Sequence, residues 1–172
     1  PTARAASDRE VDATLSRLYS TVPGTREMVQ RAAGVLVFPS VVGGSFVVGA
    51  EYGKGALREG GTTTGYYSMT AGSIGFQAGG QSKAVIYVFN TGEALQKFKA
   101  SNGWTAGADA TVAVGKIGAN GSVDTETMKQ AVSSFILTNV GLEAGASVGA
   151  AKVTRISPVS YTPLTLPTIC SM

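Results

Sequence analysis

Ala84-Val85-Ile86-Tyr87-Val88-Phe89 is an apolar and aromatic run with no charge. A short run of this kind predicts a strand buried on both faces. Thr91-Gly92-Glu93 follows it and opens a helix to about Ala100, with Ala94, Leu95 and Phe98 inward. Lys97 and Lys99 stand near the C-terminal end of that helix, where its dipole favours cations. Period-two patterning begins upstream, at Val35. Phe46, Val48, Ala50 and Tyr52 alternate with Ser45, Val47, Gly49, Glu51 and Gly53. Further on, Trp104, Ala106, Ala108, Ala110, Val112 and Val114 alternate with Thr105, Gly107, Asp109, Thr111 and Gly115. Both stretches predict long strands with one large and one small face. Gly60-Gly61 and Asn120-Gly121 predict hairpin turns. Phe135 to Leu137 and Val148 to Ile156 predict closing strands.

The first 33 residues carry a different period. Ser7 and Glu10 form an S-x-x-E capping box, so a helix is expected from Asp8. Val11, Leu15, Leu18, Tyr19 and Val22 recur on one face of it, while Arg9, Asp12, Ser16 and Ser20 fall elsewhere. Pro23-Gly24 ends it. A second helix from about Thr25 turns Met28, Ala32 and Ala33 inward, with Gly34 as its stop.

Four segments share a small-Gly-small-polar pattern: Val48-Gly49-Ala50-Glu51, Ala78-Gly79-Gly80-Gln81, Ala106-Gly107-Ala108-Asp109 and Ala144-Gly145-Ala146-Ser147. Glycine at equivalent points on several strands permits sharp coiling of a sheet. The expected fold is α+β: two N-terminal helices and one internal helix packed on a strongly curved, mainly antiparallel, barrel-like β-sheet. Closure toward a barrel would also remove exposed sheet edges.

Composition narrows the chemistry. The 172 residues contain no His and one Cys. This excludes a Ser-His-Asp triad, a Cys-His pair, an imidazole or Cys-cluster metal site and an intrachain disulfide. Gly115-Lys116 is followed by Ile117 where a phosphate loop needs a hydroxyl, and no G-x-G-x-x-G follows a strand. The net charge is +3, and no two basic residues are adjacent. That suits attraction to an anionic surface but lacks the dense stripe that nucleic acid requires. No stretch approaches the roughly 20 apolar residues of a membrane-spanning helix. Pro158 to Met172 holds three of the six prolines and the only Cys, with no charge and no Gly. We therefore expect one domain over 1–157, helical over 1–33 and mainly β over 34–157. Residues 158–172 are expected to be a non-domain tail, either disordered or introduced by cloning.

The acidic candidates are Glu51, Asp109 and Glu143, near the repeated glycines, and Asp124 with Glu126 in a loop. As strand residues the first three read as solvated side chains; a glycoside-type pair would need two of them about 5–10 Å apart in a cleft. The latter two are too few for a calcium site. Among basic residues, Arg4, Arg9 and Arg17 lie on or before the first helix. They would meet lipid phosphates if that helix lay in a membrane interface. Asp8, Glu10 and Asp12 offset them, as on an ordinary amphipathic helix covering a sheet.

From Ala33-Gly34-Val35-Leu36-Val37-Phe38-Pro39 onward the sequence resembles the SYLF-domain family. Further landmarks are Gly49-Ala50-Glu51-Tyr52-Gly53-Lys54-Gly55, Gly65-Tyr66-Tyr67 and Gly75-Phe76-Gln77-Ala78-Gly79. Gly103-Trp104 and Gly141-Leu142, leading to Lys152-Val153-Thr154-Arg155-Ile156, complete the series. One departure is Gly43-Gly44-Ser45-Phe46, which stands where a lysine is common. The resemblance, strongest to the bacterial lipoprotein branch, implies a non-enzymatic lipid-binding module without a cofactor. The partners it implies are anionic phospholipids with phosphoinositide-like, phosphatidylglycerol or cardiolipin headgroups. The implied location is periplasmic, with attachment through an upstream lipidated cysteine. Carried onto this chain, the lipid-binding candidates are Arg4, Arg9, Arg17, Lys54 and Arg58. The competing expectation is a structural or protein-interaction domain of the envelope that docks a protein or polymer through its Gly-rich face. An enzyme using Glu51 and Asp109 would require a cleft with one carboxyl of raised pKa.

Overall fold

The computed structural model describes residues 8–43, 50–72, 83–138, 141–142 and 151–156. In chain order the elements are α1 (Asp8–Thr21), α2 (Thr25–Arg31), β1 (Gly34–Gly43), β2 (Ala50–Glu59), β3 (Thr62–Gly72) and β4 (Lys83–Phe89). They continue with α3 (Gly92–Ala100), β5 (Gly103–Thr105), β6 (Val112–Val114), α4 (Thr125–Lys129), β7 (Val132–Thr138), β8 (Gly141–Leu142) and β9 (Lys152–Ile156). The strands form one sheet in the order β5-β9-β3-β2-β1-β4-β7-β6, with β8 also paired to β7. All pairs are antiparallel except β6 with β7. The fold is α+β, and the sheet curls into a half-barrel.

The curl separates two apolar layers, and β1 and β4 supply both by alternation. Leu36, Phe38, Val85, Tyr87 and Phe89 point into the concave side. Val35, Val37, Ile86 and Val88 point outward, against α1 and α2. Every residue of β4 is buried, as its uncharged run predicts. α1 contributes Val11, Leu15 and Leu18 to the outer layer, and Val22 joins them just past its end. Thr14 joins them because its hydroxyl donates to the Glu10 carbonyl at 2.8 Å, which satisfies it inside the helix.

α3 seals the concave side. The Thr91 hydroxyl caps its first turn, accepting from the Ala94 amide at 3.1 Å. Phe98 then packs among Tyr67, Phe89 and Trp104, with ring centroids 4.8, 4.8 and 5.3 Å away. These rings come from β3, β4 and β5, so one side chain ties together strands far apart in the sheet.

The expected long strand from Trp104 to Val114 is broken. Gly107 adopts φ +86°, a left-handed conformation that ends extended pairing there. The Gly107 amide donates to the Ala110 carbonyl at 2.8 Å, and the Asp109 amide to the Thr105 carbonyl at 2.8 Å. Thr105 and Val112 consequently belong to β5 and β6, the two outermost strands of the sheet. The turn joins the two margins of the half-barrel. Gly107 is thus not a strand glycine, which removes it from the proposed repeat. Gly49, Gly79 and Gly145 of that repeat lie outside the described residues, as do Ser7, Phe46, Val48 and the stretch from Pro158.

Gly34 is not the helix stop. α2 ends at Arg31, with Ala32 already extended, and Gly34 opens β1. A Cβ at Gly34 would fall 3.1 Å from a Leu95 methyl, so close packing against α3 accounts for this glycine. The two predicted turns hold: Gly60 and Gly61 join β2 to β3 with φ +62° and +86°, and Gly121 turns with φ +84°.

Replacing Phe98 by Ala should remove about 3–5 kcal/mol of stability. Urea unfolding is the measurement. A loss under about 1 kcal/mol would mean that the aromatic cluster does not hold the sheet curved.

Candidate functional site

The outer face of the sheet is only partly covered by α1 and α2. A bulge between Val37 and Ser40 of β1 shifts the alternation by one residue. Beyond it Val41 points inward, so Ser40 and Val42 point outward. Gly53, Met69, Val153 and Trp104 mark the inner side of β2, β3, β9 and β5. Their neighbours therefore line the outer one.

The register sets these outer residues in rows. Val42 lies opposite Tyr52, Tyr52 opposite Thr70, Thr70 opposite Lys152, and Lys152 opposite Thr105. Beside it runs Ser40, Lys54, Ser68, Thr154 and Gly103. Strands are roughly 4.8 Å apart, so Tyr52 and Lys152 stand roughly 10 Å from each other at the backbone. Tyr52 is 46% and Val42 39% exposed, unusual for large apolar side chains lying side by side. Lys152 is exposed and Lys54 partly so. Gly103 leaves room for the Lys152 stem: a Cβ there would sit 3.2 Å from Lys152 Cε. No Asp or Glu occupies either row. The result is an exposed aromatic and aliphatic pair on a hydroxyl-rich sheet face that also carries Lys54 and Lys152.

The residues expected to bind lipid do not form one cluster. Lys54 belongs to the outer face just described. Arg58, four residues along β2, turns instead to α1. Its Nη1 donates to Asp12 Oδ1 at 2.7 Å, its Nη2 to the Asp8 carbonyl at 3.1 Å, and its Nε to Thr63 Oγ1 at 2.9 Å. Arg58 is the clamp that holds α1 on the sheet. Arg17 donates to the Thr138 carbonyl and so ties the other half of α1 to β7. Arg9 is exposed on the first turn, and Arg4 lies outside the described residues. Asp109 is exposed and accepts from the Thr105 amide at 2.6 Å. The Glu51 side chain and all of Glu143 lie outside the described residues, so no carboxylate pair is defined. Asp124 precedes α4, and Glu126 pairs with Lys129 at 3.7 Å.

A second cluster sits at the end of the β2–β3 hairpin. Glu59 accepts from Thr64 Oγ1 at 2.6 Å and pairs with Lys99 Nζ at 3.0 Å. The Thr64 hydrogen bond holds the Glu59 carboxyl below the usual glutamate range; burial opposes it, and the hydrogen bond and charge of Lys99 add to the lowering.

Val42, Tyr52 and Lys152 were not singled out from the sequence as contact residues. Tyr52 could be placed on a strand, yet its exposure depends on where α1 stops covering the sheet. For Lys152 a signal existed: Lys152 and Thr154 alternate with apolar Val153, the pattern of a strand with one wet face.

The curled sheet and its helical cover thus leave one face, carrying Val42, Tyr52, Lys54 and Lys152, outside α1 and α2. The family described as Ysc84, Las17-binding protein actin regulator, matches residues 70–157, just over half of the chain. The chain belongs to this family, the SYLF-domain family. No curated protein matches the sequence.

Because the folded pKa of Glu59 is depressed, its contribution to stability is present above the unfolded value, about 4.3. It is lost as pH falls through the lower folded value. The stability gap between the wild type and Glu59→Gln should therefore be constant above about pH 5.5 and shrink below about pH 4. Urea midpoints across pH 3–7 check this, and a gap that widens on acidification would contradict the assignment.

Proposed function

We propose that this domain binds anionic phospholipid at a membrane surface, without catalysis, and that the outer face of β1, β2, β3 and β9 makes the contact. The observation that carries the reading is the row holding exposed Val42 and Tyr52, with Lys152 in line and Lys54 alongside. A tyrosine at a water–lipid boundary buries its ring and keeps its hydroxyl wet. Lysines extend apolar stems along the same boundary while their ammonium groups meet phosphates. Each lysine near an anionic leaflet contributes about 1 kcal/mol. Phosphatidylglycerol and cardiolipin are the headgroups of choice. The recognition is that of a charged surface, because Val42, Tyr52 and Lys152 are exposed side chains of an open sheet face.

Arg9 is a second contact in this reading, since it is exposed at the start of α1. Arg17 and Arg58 are assigned to holding α1. The likeness to the bacterial branch supports an exported, membrane-anchored protein in the periplasm, which would keep this face near lipid. The family description names binding to a protein and regulation of actin. That supports the competing reading, in which the same face docks a protein.

Vesicle flotation decides between them. The full chain should float with vesicles of phosphatidylcholine and phosphatidylglycerol and not with phosphatidylcholine alone, and 0.5 M salt should release it. Losing two lysine contacts of about 1 kcal/mol each corresponds to roughly 30-fold weaker binding. Lys54→Glu with Lys152→Glu should therefore reduce binding at least that much, and Tyr52→Ala should reduce it at unchanged salt dependence. Absence of flotation with anionic vesicles at low salt would overturn the lipid reading in favour of protein docking.

A further inference from the structure

A groove of about 530 Å³ opens between α1, α2 and the start of the sheet, away from the outer face described above. Its volume lies within the roughly 300–1,000 Å³ usual for small-molecule sites. The walls are apolar: Leu15 and the Tyr19 ring from α1, Val29 from α2 and Val35 from β1. At one side lie Arg58 and Asp12. We propose that this groove binds one single-chain anionic amphiphile, of the fatty-acid class, with its chain along the apolar wall and its carboxylate on the Arg58 guanidinium in place of Asp12.

The ion pair at this side of the groove is asymmetric. The Arg58 side chain is 11% exposed, while those of Asp12 and Asp8 are 66% and 65% exposed. Asp12 can return to water at little cost, since exposed carboxylates gain little from pairing. The nearly buried guanidinium cannot be left without an acceptor. An incoming carboxylate matches the charge and shape of the Asp12 group it would replace, with the Asp8 carboxylate, 3.8 Å from Arg58, as its competitor. Nη1 is the arm that would pass from Asp12 to the ligand, as a charge-assisted hydrogen bond, while Nη2 and Nε keep the Asp8 carbonyl and Thr63 Oγ1. Tyr19 adds a hydroxyl that stays protonated at neutral pH. Its burial raises the pKa, against the smaller pull of Arg26 and Arg58. Arg26 also lies over the Tyr19 ring at 4.7 Å and holds that wall of the groove in place.

A neutral amphiphile would fill the same apolar wall without displacing Asp12. The site should therefore discriminate by headgroup as well as by chain. The inference does not depend on the membrane-surface reading, since monomeric amphiphile and vesicles are different probes.

The test is displacement of a dansyl-labelled undecanoate from the full chain by decanoate and by decanol, each below its micelle concentration. One saturable site per chain is expected, with decanoate at least tenfold stronger than decanol. Asp12→Asn removes the competing charge and should raise decanoate affinity by about three- to tenfold, while Arg58→Met should make decanoate and decanol equal. Because Arg58→Met also releases α1 and can unfold the chain, Ser16→Phe with Ala32→Phe offers an independent check. These replacements fill the groove from its rim and should abolish binding with the circular dichroism spectrum retained. Lack of saturable binding, equal affinity for acid and alcohol in the wild type, or unchanged binding in the groove-filled variant would each overturn the proposal. Flotation of the same samples reports separately on the sheet face.

Discussion

Phe98 is the contact on which the rest of the architecture depends. It is the one ring of α3 that reaches Tyr67, Phe89 and Trp104 at once, and these belong to strands that a flat sheet would hold far apart. Burying it requires the sheet to curl around α3. Once the sheet is curled, its concave side is filled by large side chains and its convex side must be covered or left wet. α1 and α2 cover the half formed by β1, β4 and β7. The other half keeps its outward residues in solvent, and these are the residues with polar, basic and aromatic character.

The division of the convex side is also an electrostatic one. Under α1, cations are consumed by the fold: Arg58 by Asp8 and Asp12, and Arg17 by a strand-end carbonyl. On the uncovered half, exposed Lys152 stands in a row with Val42, Tyr52 and Thr70. A chain with a net charge of only +3 thus presents one face more basic than its average. Local arrangement, and not total charge, sets the potential of a face.

Much of this was legible in the residues. The 3.6-residue recurrence from Val11 to Val22 placed α1 and its buried face, and the uncharged run Ala84 to Phe89 placed the central strand. Thr91 announced the start of α3, and the Gly60-Gly61 pair its neighbouring hairpin. What alternation could not reveal was a break in a regular pattern. Trp104 to Val114 alternates without interruption, yet Gly107 and the Asp109 side chain turn it, because a left-handed glycine costs nothing in sequence periodicity. The candidate site was only half visible for a related reason. Lys54 was named as a candidate from the sequence, but Val42 and Lys152 share its face from other strands, and register across strands is a tertiary property. Arg58 looked like one more surface cation until the carboxylates of α1, some fifty residues earlier, were seen to meet it.

The Gly107 turn has a consequence for how the chain is assembled. Its two flanking strands pair with β9 and β7, which are both made later in the sequence. Until Lys152 to Ile156 have left the ribosome, β3 exposes a full row of unpaired amides and carbonyls, and β5 has nothing to lie against. The margin that the folded protein hides is thus open until β9 emerges, and the five residues of β9 are what shut it. Such a nascent chain is a template for pairing with its neighbours. Its escape from aggregation rests on the speed with which a very short strand finds its slot between two others.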